Sequence, residues 1–224
     1  MGTAPSGLAA RACGGAGSWH GWSSDAGPGP ALVGVTVTAR LTYLNNTSLD
    51  GYIEDRQGAF DFGPMDDELF ATYTALLQDV GTFLYGRRLY ESMAVWETDP
   101  ALAATSPANA AFAAAWQDAD KVVCSTTLET APTARTRVER GFDAAAVRRL
   151  KDEATRDLTV GGADLAGQAL AAGLVDECLL FVWPVLVGGG KPAVPTGTRI
   201  GLELLDERRF ANGVVLLRYR PLAR

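Results

Sequence analysis

The residues best suited to chemistry lie at three turns of one kind, where a strand-like run hands the chain to a helix-like run. Val160-Gly161-Gly162-Ala163-Asp164 leaves the short strand-like run 158–160 and enters a helical pattern. Glycines there let the backbone approach a ligand closely, and the free N–H groups of a first helical turn attract an anion. The spacing does not fit G-x-G-x-x-G, which argues against an ordinary Rossmann dinucleotide site. Gly86-Arg87-Arg88-Leu89 has the same layout with two cations added. Arginine forks suit phosphate oxygens, and a pair at a helix start would suit a phosphorylated ribose. Ser125-Thr126-Thr127 follows a third strand-like run and adds hydroxyls. Taken singly, these are a tight turn, a solvated arginine pair and a plain turn. Three of them at the carboxyl ends of three strands point to one ligand cleft, because ligands gather at that edge of open α/β sheets.

Other candidates divide between structural and chemical readings. Asp66, Asp67 and Glu68 crowd the start of a helix, where capping and dipole complementarity account for at least two of the three. Asp50-Gly51 reads as a common turn. Gly188-Gly189-Gly190-Lys191 lacks the spaced first glycine of a phosphate loop, and Pro192 stands where Ser or Thr should hold magnesium. ATP binding is therefore excluded, and a glycine-rich loop beside the site or at a subunit contact is expected. The single histidine, His20, lies near the N-terminus, away from every other candidate. A Ser-His-Asp triad, a Cys-His pair and an H-E-x-x-H metal site are thereby excluded. Cys13, Cys124 and Cys178 stand too far apart for a zinc site or a disulfide framework, so no metal is expected.

The elements that must position these turns follow from pattern. The chain has 224 residues, of which 47% are hydrophobic, enough for one sizeable core. Its net charge of -6 argues against a nucleic-acid surface, and no apolar run reaches membrane-spanning length. With no secretory signal pattern, a cytoplasmic location is expected. Residues 1–34 are rich in Gly, Ala, Ser and Pro without periodicity and read as a disordered extension of a domain over 35–224. A docking role for Trp19 and Trp22 is the weaker alternative there. Strands are expected over 35–45, 81–85, 121–125, 158–160 and 177–187, the last interrupted by Pro184. Helices are expected from Pro64 and Asp66 through Leu77, and over 88–95, 109–119, 143–154 and 164–172. Residues 202–210 and 214–219 flank Asn212-Gly213, a strong hairpin signal. The alternation predicts a three-layer α/β/α fold with a mixed, mainly parallel sheet and a C-terminal antiparallel hairpin.

Six motifs in order carry a resemblance. They are Ser48-Leu49-Asp50-Gly51-Tyr52-Ile53, Tyr85-Gly86-Arg87-Arg88-Leu89-Tyr90-Glu91, Val123-Cys124-Ser125-Thr126-Thr127-Leu128, Thr159-Val160-Gly161-Gly162-Ala163-Asp164-Leu165, Val175-Asp176-Glu177, and residues 184–192. Over residues 36–221 the chain resembles the dihydrofolate-reductase-like superfamily. It is most similar to the reductase domain of riboflavin-biosynthesis deaminase/reductases and its stand-alone bacterial relatives. The resemblance implies an NADPH-dependent reductase acting on a small heterocycle or carbonyl. It implies that Gly86, Arg87, Arg88 and Leu89 meet the adenosine phosphate side of NADPH, and that Ser125 and Thr126 form a second cofactor turn. Gly161, Gly162, Ala163 and Leu165 would lie under the diphosphate, and Ile53 beside the nicotinamide. Asp66 would be the catalytic and substrate-binding carboxylate, with Phe70 lining the substrate side. Relatives are commonly dimeric, and the apolar stretch 177–190 is expected to pair two copies. The riboflavin enzymes usually carry Glu before the Gly-Gly pair, where this chain has Val160, which argues against phosphoribosylaminouracil as substrate. Folate reductases carry a Trp where this chain has Asp61-Phe62, which argues against dihydrofolate. The alternative is a non-catalytic nucleotide-binding or dimerisation module on the same fold. No zinc-deaminase signature is present.

Overall fold

Strands rich in Val, Leu, Tyr and Phe alternate with alanine- and leucine-rich helices, and each buries its apolar side against the other. The computed structural model describes residues 38–194 and 199–223. The expected N-terminal extension, with Cys13, Trp19, His20 and Trp22, lies outside the described residues. In chain order the elements begin with β1 (Leu41–Ser48), β2 (Tyr52–Asp55), α1 (Asp67–Gln78), β3 (Val80–Gly86) and α2 (Arg87–Met93). Two single turns follow, α3 (Val95–Thr98) and α4 (Pro100–Ala103), and then α5 (Pro107–Asp118), β4 (Asp120–Cys124) and β5 (Thr136–Glu139). The remainder is α6 (Ala144–Glu153), β6 (Asp157–Gly161), α7 (Ala163–Ala171), β7 (Glu177–Trp183), β8 (Gly190–Pro192), β9 (Leu202–Arg209) and β10 (Val215–Pro221).

Eight strands form one sheet in the order β5-β4-β3-β6-β1-β7-β10-β9. The first six run parallel, and β10 reverses against both β7 and β9. Strands β2 and β8 make a separate antiparallel pair. Because side chains alternate across a strand, Phe83 and Tyr85 face one layer while Leu84 faces the other. On the first face, Leu69, Tyr73 and Leu77 of α1 and Phe112 and Trp116 of α5 pack with Tyr90 of α2. On the second, Val147 of α6 and Leu165, Ala166 and Ala169 of α7 cover Tyr43, Leu158 and Val160. The expected three-layer architecture with a mainly parallel sheet and a C-terminal hairpin is the one observed.

Three expectations are corrected by pairing. The first strand runs on to Ser48, because Asn45, Asn46 and Thr47 find backbone partners in Leu180, Phe181 and Val182. Tertiary pairing here overrides the turn preference of asparagine. The strand expected over 177–187 ends at Trp183, since Pro184 has no N–H to continue a ladder. That strand lies between β1 and β10, so residues 177–183 offer no free sheet edge to a second copy.

The strand beginnings share one edge, and it is dense in paired charge. The buried Glu177 accepts from Arg218 Nε at 2.7 Å and NH2 at 3.0 Å, and from Arg40 NH1 at 3.3 Å. Arg40 also forks onto Asp157. Lys151 bridges Asp176 at 2.6 Å and the Leu174 carbonyl at 2.9 Å. Lys121, fully buried, lies 4.4 Å from the Trp116 ring centroid and reaches the Trp116 and Gln117 carbonyls. Glu97 stands 3.9 Å away, and burial lowers the Lys121 pKa despite it. Among the described residues no helix is long and apolar enough to cross a membrane.

Candidate functional site

Adjacent parallel strands β3 and β6 send their following helices to opposite faces of the sheet, α2 to the first and α7 to the second. Such a divergence opens a crevice at the strand ends, the usual ligand position in α/β sheets. Gly86, Arg87, Arg88 and Leu89, then Ser125 and Thr126, then Gly162 and Leu165 line one cleft there. The three sequence-predicted turns therefore meet. Gly161 and Ala163 are buried immediately behind them.

The helix starts along this edge differ in a telling way. Asp66 caps α1 through Leu69 N, Ser106 caps α5 through Asn109 N, and Asp143 caps α6 through Ala145 N. Helices α2 and α7 instead enter through Gly86 and Gly162 with no side-chain cap. Their first N–H groups thus stay available to an anion. Gly162 has φ +89°, a conformation that L side chains rarely adopt, and nothing lies within 4 Å of where its Cβ would be. At Gly161 the constraint is contact: a Cβ would overlap the Leu89 side chain and press on the Tyr85 ring, 3.3 Å away. One glycine sets the turn and the other lets Leu89 of α2 lie close against the end of β6.

Charges hold the cleft's rim. Arg87 donates to Glu91 at 2.7 Å and to Thr127 Oγ1 at 2.8 Å, so its guanidinium is fixed toward the β4 turn. Ser125 Oγ accepts from the Thr127 and Leu128 backbones and organises that turn, while Thr126 is exposed. Arg88 meets Glu54 of β2 at 3.6 Å, and Lys191 of β8 meets Asp164 of α7 at 2.5 Å. The β2–β8 pair is thus strapped to both helix starts. Asp50 secures its other end by accepting from Val187 and Gly188 N–H. Hydrogen bonding, first from the Ser48 hydroxyl, lowers the Asp50 pKa. Gly190 has no room for a side chain, because a Cβ would overlap the Glu54 carbonyl. Tyr43 anchors the strap from below by donating to the Ala193 carbonyl. Burial pushes its pKa up to about 12.

Lys191, Arg140 and Phe142 also line the cleft and were not among the sequence candidates. The Gly-Gly-Gly-Lys run carried a signal for Lys191; a short β5 followed by a turn gave none for the other two. Cys124 lines it as well, but burial, with Glu139 nearby, raises its pKa and makes it a poor nucleophile at neutral pH. Ile53 is half-buried on β2 and does not line this cleft. Asp66 spends Oδ1 on the Leu69 N–H at 2.8 Å, and its carboxylate is half-buried. Phe70 stacks on Phe112 at 5.3 Å and lies 6.3 Å from Trp96. Both belong to the α1 side, apart from the phosphate-type donors. A second concavity, between the end of α7 and Pro221-Leu222, holds none of the sequence candidates. Among the described residues no three His, Cys, Asp or Glu side chains gather in a way that could hold a metal.

A family model for the RibD C-terminal domain matches residues 39–216. The chain belongs to the RibD C-terminal domain family. It is 29% identical over 187 residues to the uncharacterized protein YyaP of Bacillus subtilis (strain 168), covering 77% of this chain and 89% of that relative. In structure it is similar to a putative riboflavin biosynthesis protein from Shewanella sp. PV-4, with a TM-score of 0.65 at 19% identity, covering 82% of this chain and 99% of the other. A pyrimidine reductase-like protein from Corynebacterium diphtheriae gives 0.54 at 14% identity, covering 84% and 94%. The Thermotoga maritima diaminohydroxyphosphoribosylaminopyrimidine deaminase/5-amino-6-(5-phosphoribosylamino)uracil reductase gives 0.56 at 14% identity, covering 83% of this chain but 57% of that two-activity protein. The expected dihydrofolate-reductase-like fold is thereby shared with RibD-type structures.

Proposed function

We propose that this RibD C-terminal domain protein is an NADPH-dependent reductase of a small pterin-like, aminopyrimidine-like or carbonyl compound. The observation that carries the reading is the pair of uncapped, glycine-entered helix starts facing one cleft with Arg87, Arg88 and Lys191. This donor set fits a dinucleotide with several phosphates: backbone N–H groups for a diphosphate, arginine forks for a further phosphate. Gly161, Gly162, Ala163 and Leu165 would hold the diphosphate, and Gly86 to Leu89 with Ser125 and Thr126 the adenosine side. Ile53 would stand toward the nicotinamide. NADPH supplies the hydride when bound. The chain's own residues position it and keep water away, and Asp66 holds or relays a proton at a ring nitrogen through the carboxylate oxygen not engaged by Leu69 N–H. Phe70 is assigned to the substrate side of α1. A cytoplasmic location and a homodimer belong to the same reading. Leu202 and Leu204 on the outer strand β9, both about half exposed, support an apolar contact between copies.

The test is direct. NADPH titrated into the purified protein is expected to raise its melting temperature and change nicotinamide fluorescence; no binding at millimolar NADPH removes the reading. Turnover is followed as loss of NADPH absorbance over a panel of pterins, aminouracils and carbonyl compounds. Asp66→Asn keeps the helix cap, since Asn caps as well as Asp. It is expected to retain NADPH binding and lose turnover. The capping bond itself favours a second reading, in which Asp66 is structural and the protein is a nucleotide-binding or dimerisation module. NADPH binding without turnover in the wild type would select that one.

A further inference from the structure

Asn46 lies near the end of β1, opposite Phe181 of β7. Tyr43 of the same strand pairs with Val160, so Asn46 stands beyond the level of Gly161, at the ligand-bearing edge of the sheet. Two side chains converge on one of its atoms. Tyr73 Oη donates to Asn46 Oδ1 at 2.7 Å, and Trp183 Nε1 donates to the same oxygen at 2.8 Å. An indole N–H can only donate, so the oxygen must face Trp183 and the amide has a single orientation. Burial raises the Tyr73 pKa well above its ordinary value, which keeps its hydroxyl a donor.

The other end of the amide is left over. Among the described residues, Glu97 Oε2 and Asn212 Nδ2 are the side-chain atoms both buried and unpaired. Asn46 Nδ2 makes no hydrogen bond with them and is not such a buried atom, so it opens to solvent from a half-buried residue. The rings that hold it are themselves packed: Gly63 lies against the Trp183 ring, and Tyr73 stacks on Phe181 with centroids 4.2 Å apart. An oriented donor held by packed aromatic rings suits a planar ring with an acceptor at its edge.

We propose that Asn46 determines substrate specificity, with Nδ2 donating to an exocyclic carbonyl oxygen of a planar heterocycle. Tyr73 and Trp183 are its positioning residues. The proposal rests on the reductase reading for the idea that a heterocycle binds on the α1 side. A ring bearing an amino group at that edge sets donor against donor and is discriminated against, by about tenfold or more.

Two probes of like shape test it: 5,6-diaminouracil, whose carbonyls accept, and 2,4,5,6-tetraaminopyrimidine, whose amino groups donate. Each is titrated calorimetrically into the full chain with NADPH present. The wild type is expected to favour diaminouracil at least about tenfold. Asn46→Asp keeps an oxygen for Tyr73 and Trp183 while replacing the donor by an acceptor, and the preference is expected to reverse. Trp183→Phe frees the amide to turn and is expected to level the ratio; a purely structural role would lower the melting temperature and leave the ratio alone. Unchanged ratios in both variants, or no binding of either probe at millimolar concentration, overturn the proposal. NADPH binding is read separately. If it persists while the ratio is unmoved, Asn46 alone is misassigned; if it is absent, the reductase reading fails.

Discussion

At the strand beginnings, Glu177 takes three hydrogen bonds from two arginines and Lys151 is shared between Asp176 and a carbonyl. At the strand ends, Gly86 and Gly162 leave two helix starts without caps, and the cations near them hold only rim contacts. The same sheet thus has one edge where polar groups are matched within the chain and another where backbone donors are kept for something else. Buried charge is tolerable only when paired, so the first edge is committed to the fold. Unmatched donors at an open crevice cost little while water covers them, so the second edge can be committed to a ligand.

The largest effect should come from breaking the committed edge. Glu177→Ala leaves Arg218 and Arg40 without their shared carboxylate and should cost about 3 kcal/mol, read by urea unfolding. Its NADPH affinity should match the wild type. A parallel loss of affinity would show that the edges are not independent. Next, Gly162→Ala forces a Cβ onto a residue at φ +89° and should cost about 1–3 kcal/mol. Here NADPH affinity should fall about tenfold or more, the opposite division of effects.

A third test uses alkali. Tyr43, with an ordinary value of 10.0, is raised to about 12, chiefly by desolvation, and Cys178, with an ordinary value of 9.0, is raised to about 12 for the same reason. Folded values above unfolded ones mean that this stability is whole below pH 9 and drains away as pH rises toward 12. Tyr43→Phe should make the decline between pH 10 and 12 shallower. An unaltered slope would remove Tyr43 from the alkaline transition. The smallest effect should be Lys191→Ala. Its partner Asp164 is largely exposed, so stability should change by no more than about 0.5 kcal/mol. NADPH affinity should still weaken severalfold, and a measurable melting shift without that weakening would move Lys191 from the second edge to the first.

The pattern of strands and helices was readable because apolar period and turn chemistry agree along most of the chain. Asp66, Asp143 and Gly86 mark helix starts in sequence and in structure alike. The three-turn cleft was readable for the same reason, since each turn sits where a strand hands over to a helix or loop at one sheet edge. What escaped depends on distant partners. Strand β8 is three residues long and exists by pairing with β2, so Lys191 gave no sign that it reaches Asp164. The end of β1 holds Asn45 and Asn46, which read as a turn until β7 supplies their backbone partners. Pro184 announced an interruption but not that the strand before it lies inside the sheet.

Lys121 carries a practical consequence. The chain has three lysines, at 121, 151 and 191. The first is wholly enclosed, the second is held by Asp176 and the third by Asp164. An acylating reagent can reach the Lys121 amine only when β4 and α5 part, an opening that also removes the burial that lowers its pKa. Mass-spectrometric timing of acylation at that one position would make Lys121 a built-in stopwatch for opening of the domain, read in dilute or crowded samples where optical probes fail.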